Sequence, residues 1–289
     1  MFLHLVAHAV RQTRPLAAPE AAWWLWRCLR NNFPEAVAAC LMPNHVHLLI
    51  AERSGDERIH TRRLGRVLGS HARRWGGGAQ WQAADRHVIK GHEELRRQVR
   101  YVHLNPCRAK IVDDPLKWPW STHRGIVGAE HDPWVPAARL ARALARDSAD
   151  FATWLHAYVS SDPTCAVDGT DLHAPLPARD VPMVPLATIL AAAIAATPWQ
   201  EPGLRGMRRH ATVLLAWHQG WNDARVVAQA VRANADATRR LARRPNASLL
   251  RASLMCLGDA RLRFTREQAL PLLQSPCDVQ RKAVLVRHG

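Results

Sequence analysis

Two apolar runs, Ala36 to Met42 and His45 to Ala51, are interrupted only by Pro43-Asn44. That dipeptide favours a tight turn, so the runs are expected to pair as an antiparallel hairpin. The rest of the first 130 residues must be arranged around it. Phe2 to Val10 reads as a strand, and Ala18 to Asn31 as a helix with Trp23, Trp24, Trp26 and Leu29 turned to the core. Arg58 to Trp75 reads as a basic amphipathic helix ended by Gly76-Gly77-Gly78, and Arg86 to Lys90 as a short strand. His92 to Leu104 reads as a helix stopped by Asn105-Pro106, because the residue before proline avoids helical dihedrals. Strand, helix, hairpin, helix, strand, helix is an α+β order: a mainly antiparallel sheet covered by helices.

The remainder changes character. Residues 131–185 form an acidic helical or linker region, in which 160–185 hold five prolines. From 186 to 289 helices dominate. Arg208 to Gln219, Asp223 to Val231 and Asp236 to Arg244 are separated by short turns, as in a compact three-helix unit. Formal charge is +16, with 20 basic and 11 acidic residues in 1–130 and 16 against 6 in 201–289. Two basic lobes around an acidic middle favour a polyanionic partner, nucleic acid first. The six cysteines show no CxxC spacing, and no secretory leader is recognisable, so reduced thiols and a cytoplasmic, nucleoid-associated protein are expected. The most apolar stretch, Leu186 to Thr197, falls short of the ~20 residues that span a bilayer, so no membrane role is expected.

His45-Val46-His47 sets two imidazoles two apart on a strand, hence on one face, where they can converge on one ion. Alone this triplet is weak evidence among 16 histidines. Tyr101 is one of only two tyrosines, and Asn105 follows it by four residues, on the same helix face. A hydroxyl nucleophile and an amide oxygen could there address one metal-bound phosphate, or Tyr101 could be a packing residue and Asn105 a helix terminator. Arg62, Arg63, Arg66, Arg73 and Arg74 read equally as a phosphate track or as a solvated face. Trp75 and Trp81 read first as packing residues and second as stacking platforms for bases. Arg239, Arg240, Arg243 and Arg244 form a basic stripe that fits a helix-turn-helix recognition helix as well as a packing domain's surface.

Leu41-Met42-Pro43-Asn44-His45-Val46-His47-Leu48-Leu49-Ile50 resembles the HUH segment of the REP-associated tyrosine transposases. Arg100-Tyr101-Val102-His103-Leu104-Asn105-Pro106-Cys107-Arg108-Ala109-Lys110-Ile111-Val112 resembles that family's tyrosine helix and its exit, and Trp120-Ser121-Thr122-His123-Arg124 its WSSYR segment. The three blocks stand in the family's order and cover roughly residues 1–130. The family's RGN-like stretch after the first strand is missing, and Gly76 to Ala84 matches poorly. His123 replaces the family's usual tyrosine, leaving Tyr101 without a rival in this region.

The resemblance implies a ferredoxin-like HUH fold, His45 and His47 as metal ligands, Asn105 as third ligand, and Tyr101 as nucleophile. It implies cleavage and rejoining of single-stranded hairpin DNA through a 5′-phosphotyrosine link, in transposition or repeat dispersal. A phenol, with an ordinary pKa near ~10, needs activation by the site at neutral pH. Magnesium or manganese is expected ahead of zinc, since amide, phosphate and water oxygens join the imidazoles. Monomer and homodimer are equally compatible with one tyrosine. The alternative is a non-catalytic DNA-binding protein or repressor that keeps the HUH fold.

Overall fold

A computed structural model describes residues 1–10, 13–52, 55–75, 80–146, 149–165, 171–199 and 205–274. The first half runs β1 (Phe2–His8), α1 (Pro19–Asn32), β2 (Ala36–Met42), β3 (His45–Ala51), α2 (Glu57–Trp75), β4 (Asp85–Ile89) and α3 (His92–Arg108). The expected strands and helices are present, with ends shifted by a residue or two. The four strands lie in the order β2-β3-β1-β4, every neighbouring pair antiparallel. A βαββαβ chain with this order is the ferredoxin-like arrangement.

Two crossovers, β1 to β2 and β3 to β4, carry α1 and α2, which pack against each other. Strand alternation sends Leu3, Leu5, Ala7, Val46, Leu48 and Ile50 to one side of the sheet, all fully buried. It sends His4, His8, His45 and His47 to the other, where α3 lies. The 43–44 turn is anchored to β1 by Ala9 N–H donating to the Asn44 carbonyl (2.7 Å).

Although β2 ends the sheet, every one of its residues is buried. The Trp120-Ser121-Thr122 segment covers the open edge: Leu41 N–H donates to the Trp120 carbonyl (2.8 Å) and Thr122 N–H to the Ala39 carbonyl (3.0 Å). The Thr122 hydroxyl accepts from Ala39 N–H (2.9 Å). A strand so enclosed needs no polar side, which explains its unbroken apolar run.

In one respect the helix carrying Tyr101 departs from expectation. It does not stop before Asn105-Pro106 but continues to Arg108. Pro106 falls in the last turn, where its missing N–H forfeits a single hydrogen bond and little helix remains to be disrupted. The Ala109 N–H closes the turn on the Asn105 carbonyl (2.9 Å).

Beyond α3 come a 3-10 turn (Pro115–Lys117), α4 (His123–Ile126), α5 (Ala137–Ala143) and α6 (Phe151–Ser160). Leu140, Phe151, Leu155 and Val159 bury against the sheet's core cluster. Residues 171–184 carry no helix or strand and are largely exposed, yet their backbone is tied down. The Pro177 and Val184 carbonyls accept from Gln219 Nε2 (2.9 Å) and Trp221 Nε1 (2.8 Å).

The last part is all-α: α7 (Leu186–Ala196), α8 (Met207–His218), α9 (Ala224–Ala230), α10 (Ala235–Ala242), α11 (Ala247–Gly258), a 3-10 turn (Ala260–Arg263) and α12 (Arg266–Gln274). It has its own apolar cluster, built on Ile189, Val213, Leu215, Val227 and Leu257. Ala269 and Leu273 of α12 return to the sheet's cluster, and buried Arg266 accompanies them. No helix among the described residues is long and apolar enough to cross a membrane. Cys28, Cys40, Cys107, Cys165 and Cys256 are free thiols; Cys277 lies outside the described residues.

Candidate functional site

The site begins with strand register. His45 lies opposite His8 across β1 and β3, and His47 lies diagonal to His4. The four imidazoles therefore gather on the α3 face: ring centroids are 5.1 Å apart for His8 and His45, 4.7 Å for His45 and His47, and 5.2 Å for His4 and His47. His4 and His8 did not emerge from the sequence as site residues. Their signal was present, since two histidines four apart on one strand share a face.

Tyr101 meets this cluster from α3. Its ring stands edge-on to His47 (5.5 Å) and to His4 (6.0 Å), and the residue is 37% exposed. The Arg108 guanidinium sits over the same ring, 5.3 Å from its centre. Asn105, one turn further along, is buried. Its Nδ2 donates to the Tyr101 carbonyl (3.0 Å), which turns Oδ1 the other way. Asn105 interacts with both His45 and His47. The fold thus brings His45, His47, Tyr101 and Asn105 to one place, at the same spacings that singled them out in sequence.

Burial sets the charge state here. Desolvation, reinforced by the neighbouring imidazole of His8, pushes His45 down to about 3. Desolvation and then the imidazoles of His45, His4 and His8 push His47 well below its ordinary value. Both are neutral at physiological pH, the form that binds metals. A second partner fixes the tautomer of His45 and holds the ring of His47. His45 Nδ1 donates to Asn44 Oδ1 (2.7 Å), and His47 Nδ1 shares a 3.0 Å hydrogen bond with His4 Nε2. With its proton on Nδ1, His45 presents a bare Nε2 lone pair, and among the described residues His47 Nε2 is buried without a direct hydrogen-bond partner. No group of three or more His, Cys, Asp or Glu among the described residues is arranged to hold an ion. Two imidazole nitrogens and an amide oxygen nevertheless fit a divalent ion that keeps substrate and water oxygens in its remaining positions.

Other residues marked in the sequence lie elsewhere. The arginines of α2 are across the sheet from Tyr101 and do not join the histidine cluster. Arg62 pairs with Asp56 (3.1 Å), and Arg63 is held by Glu35 above the Phe33 ring. Arg66, Arg73 and Arg74 are exposed. Trp75 and Trp81 pack into an aromatic group with Trp24 and His71: Trp75 lies 5.3 Å from Trp24, and Trp81 Nε1 donates to His71 Nδ1 (3.2 Å). Arg239, Arg240, Arg243 and Arg244 are exposed on and just after α10. The second tyrosine, Tyr158 on α6, approaches α3 beneath Arg100 but stacks on Trp154, away from the histidines.

No protein-family model matches the chain. A Haemophilus influenzae protein described as a "Putative REP-associated tyrosine transposase" is 27% identical over 118 residues, which covers 36% of this chain and 67% of that protein. A solved structure of a REP-associated tyrosine transposase bound to a REP hairpin aligns with 22% identity and a TM-score of 0.34, covering 42% of this chain and 74% of that one. Over the stretch of 118 residues that it shares with the Haemophilus protein, this chain is similar to a protein described as a REP-associated tyrosine transposase.

Proposed function

We propose that the chain is a DNA-strand transferase that cuts and rejoins single-stranded, hairpin-forming DNA through Tyr101. The observation that carries this reading is the half-exposed phenol set against His47, with Asn105 turning its amide oxygen to the same imidazoles. The kinship with REP-associated transposases and the +16 charge support a nucleic-acid substrate.

His45, His47 and Asn105 would hold a divalent ion, magnesium or manganese by the character of the donors. Such an ion supplies Lewis acidity to a bound phosphate and orients the scissile bond. The chain provides the rest. Tyr101 Oη attacks phosphorus in line with the 3′ oxygen; the new O–P bond forms as the P–O3′ bond breaks, and the phenolic proton passes through solvent to the departing 3′ hydroxyl. Arg108, over the Tyr101 ring, places a cation where the phosphate must approach. Because the ester energy is kept in the phosphotyrosine link, a 3′ hydroxyl can attack the same phosphorus and restore the DNA without a nucleotide cofactor. Asn44 keeps His45 in the tautomer that presents Nε2, and His4 orients the His47 ring.

The test is a covalent adduct. Protein, manganese and a labelled hairpin single strand should give a protein–DNA species that survives denaturation. It should disappear in Tyr101→Phe and persist in Tyr158→Phe. An adduct retained in Tyr101→Phe refutes the assignment of the nucleophile, and binding without any adduct refutes cleavage and leaves a DNA-binding protein.

A further inference from the structure

We infer a second nucleic-acid site, remote in sequence from Tyr101: α9 and α10 form a helix-turn-helix whose α10 face docks in the major groove of double-stranded DNA.

The unit is built to hold one helix rigidly outward. Asp223 caps α9, its carboxylate accepting from Arg225 N–H (2.8 Å). The turn that follows passes through Arg232 in the left-handed region, at φ +52°. A residue there costs about 1 kcal/mol or more when it is not glycine, so surrounding contacts must impose it. They do. Arg209 of α8 donates from Nε to the Val231 carbonyl (3.0 Å) and from its guanidinium to the Arg232 carbonyl (3.2 Å). The chain then enters α10 under a second cap, Asn234 Oδ1 accepting from Ala237 N–H (2.7 Å). At the far end His210 Nε2 donates to the Arg244 carbonyl (2.8 Å). Two adjacent side chains of α8 therefore clamp the turn that leads into α10 and the exit from it.

What α10 turns inward is apolar or satisfied. Thr238 is fully buried, its hydroxyl bonded to the Asn234 carbonyl (3.0 Å), while Leu241 and Ala242 pack on the helical core. Its outward face carries Arg239, Arg240 and Arg243, joined by Arg244 at the exit, all exposed. Residues 221–244 hold six arginines and two aspartates. Asp223 is used as a cap and Asp236 pairs with Arg239, so the surplus is positive and faces solvent.

A helix of this kind fits the B-form major groove, where guanidinium groups bind guanine edges and phosphates bidentately. The major groove of A-form RNA is too deep and narrow for side chains to read. A membrane surface would need apolar side chains on the outward face, and α10 has arginine there. Duplex DNA is the partner that fits. The inference stands on α8–α10 alone and holds whether or not Tyr101 cleaves.

The full chain is titrated against a fluorescent duplex DNA and, separately, a hairpin single strand. Arg240→Ala/Arg243→Ala/Arg244→Ala should weaken duplex binding by at least about tenfold and flatten the log-affinity against log-salt slope by about 2 to 3, given ~0.9 per phosphate contact. Adduct formation on the single strand should stay within about twofold. The triple lysine variant, which keeps the charge, should recover most non-specific duplex affinity. Unchanged duplex binding in the alanine variant, no recovery with lysine, or duplex RNA competing as well as duplex DNA would each overturn the proposal.

Discussion

Acidification should unfold this protein in a pH range where most carboxylates are still ionised. Five of the buried histidines, His4, His47, His71, His103 and His123, are at most 6% exposed and have lowered pKa values, and His45 shifts the same way and adds to their effect. Desolvation lowers His4 and His71 to about 4 and His103 to about 3. It lowers His47 and His123 well below the ordinary value, with help from neighbouring imidazoles. In the unfolded chain each titrates near ~6.5. Below that pH the unfolded state takes up protons and the folded state does not, so stability is lost as pH falls from about 6.5 towards about 4. Between about pH 7 and about pH 5.5 each site costs ~1.2 kcal/mol, together about 6 kcal/mol, which rivals the whole stability of a typical domain, ~5–15 kcal/mol. Glu130 opposes this, because burial raises its carboxyl, but it is one group against five. Guanidinium unfolding at the two pH values, followed by tryptophan fluorescence at fixed ionic strength with chelator present, should register the drop. Near pH 5.5, unfolding should take up about four protons or more. A stability difference under about 1.5 kcal/mol, or an uptake near one proton, would refute the picture of neutral buried imidazoles.

Two stability predictions concern packing. A Cβ at Gly258 would stand 2.5 Å from the Ala174 carbonyl oxygen, so Gly258→Ala should cost about 1–3 kcal/mol, whereas Gly65→Ala, with nothing within 4 Å in exposed α2, should gain up to about 1 kcal/mol; thermal melts separate them. Arg266, buried among Trp23, Trp26, Trp120 and Trp199, lies 3.5 Å from buried Glu130. Arg266→Met should cost about 3–5 kcal/mol by stranding that carboxylate, and adding Glu130→Gln should restore much of it; an unrestored double variant would mean that the tryptophan contacts, not the charge pair, carry the effect.

The sheet was legible because its signals are local. The 43–44 turn, the alternation along β1 and the enclosed run of β2 each fix a strand without knowledge of its neighbours. His45, His47, Tyr101 and Asn105 stood out as two pairs at short spacing, but each pair was weak alone, and only the resemblance of the three ordered blocks implied roles for them. Register escaped, and with it His4 and His8, because which residues of β1 face β3 depends on pairing over about forty intervening residues. The end of α3 was misplaced for a subtler reason. A proline rule with statistical force was applied at a helix's last turn, where its physical cost is smallest. Nothing in the sequence linked Arg124, Glu130 and Arg266, which meet across more than a hundred residues, or linked Arg209 to the turn at Arg232.

The histidine cluster is costly to fold, and the cost has a direction. Gathering His4, His8, His45 and His47 on two adjacent strands beneath α3 forces neutrality on His4, His45 and His47 through lost solvation and mutual repulsion. Among the described residues His47 Nε2 is buried with no direct hydrogen-bond partner, as are His103 Nδ1 and His123 Nδ1 outside the cluster, but only at His47 do Tyr101 and Asn105 stand beside the ring. An unmade hydrogen bond of that kind costs about 1–3 kcal/mol. A divalent ion at Nε2 would offset it, stabilising the folded chain by ~2.7 kcal/mol at a hundredfold excess over its dissociation constant. In the folded chain these lone pairs stay unprotonated far below about pH 6.5, so between about pH 7 and about pH 5.5 the folded chain should keep its metal affinity while folding stability already falls. In His47→Leu, which removes both the ring and its proton site, the stability gain from manganese should vanish and about one fifth of the acid sensitivity should go with it. If manganese stabilised His47→Leu as much as the parent, the ion would be bound elsewhere, and the neutral ring at position 47 would need another explanation.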